Sequence, residues 1–140
     1  MRDEEHKFIE YIRDNNVLPA IAIERAVRAK EESREPLGEL LIKLGLLSEK
    51  KLVGVYAAYC GIKIAIDDDF PEEKIKVLDI EEQFFSGSNT IVLSEGDELI
   101  KIATNNPIDD FVKKAISYLT GKNVEYLVST TSDVTSYYDK

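Results

Sequence analysis

The chain has 140 residues, 44% of them hydrophobic, which is enough for one ordinary domain or two very small lobes whose core needs no covalent staples. Its 27 acidic residues against 18 basic ones leave a formal net charge of −9, which disfavours a phosphate backbone or a bare anionic membrane surface as partner. The single cysteine, Cys60, excludes an internal disulfide or a multi-thiolate metal site, and the single histidine, His6, leaves little room for a His-based catalytic pair.

No apolar run approaches the roughly 20 residues that cross a bilayer, and Met1 to Glu10 is charged where a signal peptide is apolar. A cytoplasmic chain without direct membrane insertion is expected. In chain order, Phe8, Tyr11 and Ile12 recur at helical spacing, and after Pro19 so do Ile23, Ala26 and Val27. Pro19 suits a first helical turn, where its missing N–H has no partner to lose. A polar stretch, Lys30 to Glu35, leads to Pro36 and a third helix with the stripe Leu37, Leu40, Leu41 and Leu44, stopped by Gly45. Ser48 can cap a fourth helix, whose face is Leu52, Val55, Tyr56 and Tyr59 and whose stop is Gly61.

Sliding this helical half by 29 positions pairs Phe8 with Leu37, Ile12 with Leu41, Ile23 with Leu52 and Val27 with Tyr56. Asn16 then falls opposite Gly45, and Asn is the next best residue for a left-handed helix stop. The half therefore reads as two helix-turn-helix units in tandem, closing near residue 61.

From residue 62 the texture changes to short β-type runs: Ile62 to Ile66, Thr90 to Leu93, Leu99 to Ala103 and Val124 to Val128. Glu95-Gly96-Asp97 predicts a hairpin between the second and third. A helix over Ile108 to Leu119 carries Phe111, Ala115, Ile116 and Leu119 on one side, and another over Ser132 to Tyr138 carries Val134 and Tyr138. The fold class is α+β: a helical lobe over residues 1–61, then a small α+β lobe over residues 62–140 with a mainly antiparallel sheet and helices on one of its faces.

Catalytic signals are absent from the sequence. Gly121-Lys122 is the only Gly-Lys pair, but Ile116 stands where a P-loop needs its first glycine and Asn123 where it needs Ser or Thr, so the pair reads as a helix stop. Asp67-Asp68-Asp69 lacks the alternating ligands, central glycine and distal Glu of a calcium loop and reads as a solvated turn. Asp109 or Asp110 falls in the first turn of its helix, complementing the dipole. The tyrosines, among them Tyr11, Tyr56, Tyr59, Tyr118 and Tyr126, are expected to line the core or its edge, although tyrosine also favours interfaces. No metal and no cofactor is expected.

The run Pro36-Leu37-Gly38-Glu39-Leu40-Leu41-Ile42-Lys43-Leu44-Gly45-Leu46-Leu47-Ser48-Glu49, with Leu52 following, resembles the amino-terminal domain of type II secretion system protein E and its pilus-biogenesis relatives. Leu99 to Asp109, ending in Ala103-Thr104-Asn105-Asn106-Pro107-Ile108-Asp109, is similar to that family's strand and turn, and Leu119-Thr120-Gly121 with Val124, Glu125 and Val128 is similar to its closing helix and strand. The resemblance covers roughly residues 7 to 138. It implies a non-catalytic docking domain that precedes an ATPase engine and holds it on the cytoplasmic part of an inner-membrane platform protein. The partners implied are that platform domain and the downstream ATPase domains, and the location is the cytoplasm, peripheral to the bacterial inner membrane. Because the chain is acidic, the platform is expected to present basic groups around an apolar centre.

Some members of the family resembled bind cyclic di-GMP through two tandem motifs that begin Arg-Leu-Gly and end in Gln. Here the second copy keeps Leu37, Gly38, Leu41, Gly45 and Leu52, with Tyr56 beside them, but Pro36 replaces Arg and Tyr59 replaces Gln. In the first copy Lys7 and Lys30 take those two places and Ile9 replaces the glycine. Lysine lacks the planar fork of arginine and proline has no donor, so the matching residues read as scaffold, with a dinucleotide sensor as the alternative function.

Overall fold

The computed structural model describes residues 1–139. Four helices open the chain: α1 (Asp3–Asp14), α2 (Ala20–Glu31), α3 (Leu37–Lys43) and α4 (Glu49–Cys60). Their starts and stops follow the predicted chemistry. Pro19 and Pro36 stand immediately before α2 and α3, and the Ser48 side chain accepts from the Lys51 N–H at the start of α4. Asn16, Gly45 and Gly61 adopt φ of 54°, 72° and 67°, the left-handed region that ends a helix.

The tandem repeat is visible in the backbone. Val17 N–H donates to Ile12 C=O and Leu46 N–H to Leu41 C=O, both at 3.0 Å; Ile23 N–H donates to Pro19 C=O as Leu52 N–H does to Ser48 C=O. The equivalent pairs Phe8 and Leu37, Ile12 and Leu41, and Ile23 and Leu52 are all buried in one core cluster.

The second half contains α5 (Glu82–Gly87), β1 (Thr90–Glu95), β2 (Leu99–Thr104), α6 (Phe111–Thr120), β3 (Asn123–Val128) and α7 (Thr131–Tyr138). The hairpin forms as expected, with Gly96 N–H donating to Leu99 C=O at 2.8 Å. Strand order is β1-β2-β3, antiparallel in the first pair and parallel in the second, which is reached through α6. The α+β class and the helical amino-terminal region hold.

Four details differ from the sequence reading. Ile62 to Ile66 is not a strand: it makes one bridge, Ile64 to Val128, before a 3₁₀ turn over Asp67–Asp69, where Ile66 N–H donates to the Asp69 carboxylate. Helix α5, between the turn over residues 77–81 and Ser88-Asn89, was not read from the sequence. Helix α6 starts at Phe111, not Ile108, because the Asn105-Asn106-Pro107 turn continues to Asp109, whose carboxylate accepts from the Phe111 N–H. Helices also cover both faces of the sheet. Ile91, Leu93, Ala103 and Leu127 pack on Val134 and Tyr137 of α7, while Val92, Ile100 and Ile102 pack on Phe85 of α5 and Ile116 of α6. The two-residue alternation of a strand requires this, since apolar residues occupy consecutive positions along β1 and β2.

The halves are joined by shared burial. Ile108 and Val128 belong to the helical core cluster, and Glu49 of α4 accepts from the Ser132 N–H at 3.0 Å and its hydroxyl at 2.7 Å.

Candidate functional site

The start of α3 is held from a distance. Pro36 offers no capping side chain, and the Glu5 carboxylate instead accepts from the Leu37 N–H at 2.9 Å while also accepting from the Arg2 N–H at 3.2 Å. Lys30 lies 3.6 Å from the same carboxylate and donates to Glu35 C=O. Both side chains of this pair are about nine-tenths covered, at 11% and 9% exposure. Lys30, the residue in the first motif copy where Gln is expected, is thus engaged inside the protein.

A groove of about 170 Å³ runs between the halves, with Gly38, Leu52 and Tyr56 on one wall and Asn89, Asn105 and Thr131 on the other. It brings three of the six predicted motif residues to one surface. Leu37 and Leu41 are fully buried core, and Gly45 is an exposed helix stop with open space around it. Lys7 is exposed and Ile9 is buried. Its lining includes amides, Asn89, Asn105 and Asn106, that sequence reasoning did not connect with the motif; Asn89 and Asn105 flank the paired Thr90 and Thr104 at one end of the β1–β2 hairpin. Asn105 is already bound to the Thr131 hydroxyl at 2.9 Å.

Gly38 is fixed by its neighbour. A Cβ built there overlaps the Tyr56 hydroxyl and comes within 3.1 Å of Leu52 Cδ2. At the equivalent positions of the first repeat stand Ile9, in the same core cluster, and Val27, packed against it, so the large and small residues are exchanged. Gly38→Ala is expected to cost about 1–3 kcal/mol in urea denaturation, and adding Tyr56→Phe, which removes the overlapping oxygen, is expected to restore more than half of it. A Gly38→Ala protein with an unshifted midpoint would refute this packing.

No reactive constellation accompanies the groove. No group of three or more His, Cys, Asp or Glu that could hold a metal occurs among the described residues. The Cys60 thiol is partly buried, and burial, with Asp110 adding, raises its pKa, which makes it a weaker nucleophile at neutral pH. Burial likewise raises the Tyr56 phenol, stacked on Phe8 with ring centroids 4.8 Å apart. Among the described residues no helix is long and apolar enough to cross a membrane.

The surface offers one apolar helix face. Of the predicted α6 stripe only Ile116 is fully buried; Phe111 and Leu119 are 62% and 46% exposed, and Tyr118, expected at the core or its edge, is 88% exposed. The residues that α6 packs inward are Val112 and Ile116. Phe111, Tyr118 and Leu119, at i, i+7 and i+8, form an adjacent outward stripe. Lys114 lies beside it and pairs with Asp110 at 4.0 Å, whereas Lys113 turns away, over the Tyr126 ring.

No family model and no curated protein matches the sequence. Solved structures do. The N-terminal domain of XpsE matches in two crystal forms: one with a TM-score of 0.78 at 22% identity, covering 99% of this chain and 96% of that one, the other with 0.66 at 21% identity, covering 99% and 97%. MshE, solved with cdg, matches with a TM-score of 0.73 at 20% identity, covering 94% of this chain and 96% of that one. The resemblance carried by Pro36–Glu49 and Leu99–Asp109 therefore holds at the level of architecture: over nearly its whole length the chain has the fold of the XpsE N-terminal domain and of MshE.

Proposed function

We propose that the chain is a docking and regulatory module, without catalysis of its own, that holds a secretion or pilus-assembly ATPase on the cytoplasmic domain of an inner-membrane platform protein. The observation that carries this reading is the likeness to the XpsE N-terminal domain across 99% of this chain and 96% of that one. The outward α6 stripe supplies a surface for it, since exposed aromatics are the residues that dominate binding energy at interfaces. Lys114 beside the stripe is paired with Asp110 and the chain carries a net charge of −9, so the acceptor presents basic groups around an apolar centre. Titration against the cytoplasmic domain of the cognate platform protein tests this. Association is expected to slow with added salt without being abolished, and Tyr118→Ala is expected to weaken the complex by about tenfold or more. No complex at tens of micromolar, with both proteins folded and in low salt, removes the reading.

The likeness to MshE with cdg favours one second reading, a cyclic di-GMP sensor. The residues at the motif positions weigh against it: Pro36 and Tyr59 lack the fork and amide, Lys30 is committed to Glu5 and Glu35, and Ile9 fills the space a glycine leaves. Calorimetric titration with the dinucleotide is expected to give a dissociation constant weaker than about 1 µM. A tighter value makes the sensor reading the better one.

A further inference from the structure

The β1 edge of the sheet pairs with no further strand, and its geometry can be followed bond by bond. Ser129 N–H donates to Thr104 C=O, so Thr104 directs its backbone toward β3. Alternation then turns Ala103 and its partner Ile91 toward each other, and turns Thr90 and Val92 outward from β1. The Tyr138 hydroxyl donates to Thr90 C=O on that outer side. Beyond Val92 the register is broken by a bulge before Ser94. Between these two stops the outward N–H and C=O of Val92 make no hydrogen bond to any described residue outside the sheet, although Val92 is only 5% exposed. Buried backbone groups are almost always paired, so this position is open to a ligand.

A cleft of about 360 Å³ lies along this edge. It is lined from both layers, by Val77, Ile80 and Phe85 on one side of the sheet and Tyr137 and Tyr138 on the other, so its mouth crosses the edge itself. Two lysines, Lys74 and Lys76, and two glutamates, Glu81 and Glu82, line it as well. Lys74 is already 3.6 Å from Glu82 and lies over the Tyr138 ring, whereas Lys76 has no carboxylate within ion-pair distance among the described residues.

We infer that the free edge of β1 accepts a short extended peptide segment of a partner protein, which pairs with the Val92 backbone, seats an apolar side chain against Val77, Ile80 and Phe85, and brings a carboxylate to Lys76. Strand addition of this kind takes affinity from main-chain hydrogen bonds and selectivity from the pocket. The occupant is short because the open window is short: Tyr138 closes one end and the bulge the other, the two devices that protect an edge from pairing with a second copy of the same sheet. The site goes beyond docking through α6, which packs at the β3 side of the sheet, and each can fail without the other.

Two measurements on the whole chain test it. In the free protein the Val92 amide is expected to exchange about a hundredfold faster than that of Ile91, its buried neighbour. Equal protection at low concentration overturns the inference, and protection that grows with chain concentration assigns the edge to a second copy and overturns it as well. Selection from a displayed library of random linear peptides is then expected to yield sequences with an apolar residue near an acidic one. Their binding is expected to slow Val92 exchange by about tenfold or more, to be lost in Val92→Pro, which an edge strand tolerates, and to weaken about threefold in Lys76→Glu, a surface change that leaves folding intact. Failure to enrich any sequence, or enriched peptides that leave Val92 exchange and the Lys76→Glu affinity unchanged, overturns it.

Discussion

Replacing Leu41 by alanine is expected to lower the unfolding free energy by about 2–5 kcal/mol, and Ile12→Ala by an amount within about 1 kcal/mol of that. Both side chains are wholly excluded from solvent and sit at equivalent places in the repeat, each two residues before the last residue of the first helix in its unit. Truncation removes buried methyl groups and leaves a cavity that rigid neighbours, among them Phe8, Leu37 and Tyr56, fill incompletely. Ile108 and Val128 share that cluster, so the loss is expected in a single transition for the whole chain rather than in its helical half alone. Urea denaturation followed by far-ultraviolet dichroism measures it as a shift in midpoint at unchanged slope. An unshifted midpoint for either variant means that the stripe is not core; a large loss for one and a negligible loss for the other means that the two units are not equivalent.

The repeat was legible because two independent signals agreed at the same offset. Apolar positions alone align any two amphipathic hairpins, but Asn16 opposite Gly45 marks a backbone conformation, and both residues adopt it. Elsewhere one signal stood alone. Helical spacing in Phe111, Ala115, Ile116 and Leu119 marks an apolar face without saying whether it meets the sheet. Val112 and Ile116 form a rival face on the same helix, and the sheet selects that one, leaving Phe111 and Tyr118 outside. The open position at Val92 has no local signature at all, because whether a strand lies at an edge depends on which segments pair with it. Ile62 to Ile66 has the composition of a strand and reaches β3 at a single bridge only. At the candidate site the motif residues were placed correctly along the chain, but their surroundings were hidden: nothing in the sequence distinguishes Glu5 from the solvated Asp3 and Glu4 beside it.

Glu5 is where that hidden contact carries the largest consequence. Substituting alanine leaves the Lys30 ammonium covered and without its counter-charge, and leaves the Leu37 N–H at the start of α3 without an acceptor. Breaking a buried pair from one side costs about 3–5 kcal/mol, far more than the roughly 0–1 kcal/mol of a surface pair such as Arg28 with Glu24, whose side chains are 76% and 61% exposed. Glu5→Ala is therefore expected to fall in the higher range and Arg28→Ala in the lower. Replacing both members, as Glu5→Leu with Lys30→Met, removes the stranded charge and fills the space with apolar volume, which is often neutral for a buried pair. One debt remains, since Leu37 N–H is still unpaired and an unsatisfied buried donor costs about 1–3 kcal/mol. The double variant is thus expected to lie about 1–3 kcal/mol below the wild type and above Glu5→Ala. Urea denaturation of the wild type, Glu5→Leu, Lys30→Met and the double variant closes the cycle. A loss under about 1 kcal/mol in Glu5→Ala, or a double variant no better than Glu5→Leu, means that the carboxylate neither anchors α3 nor balances Lys30.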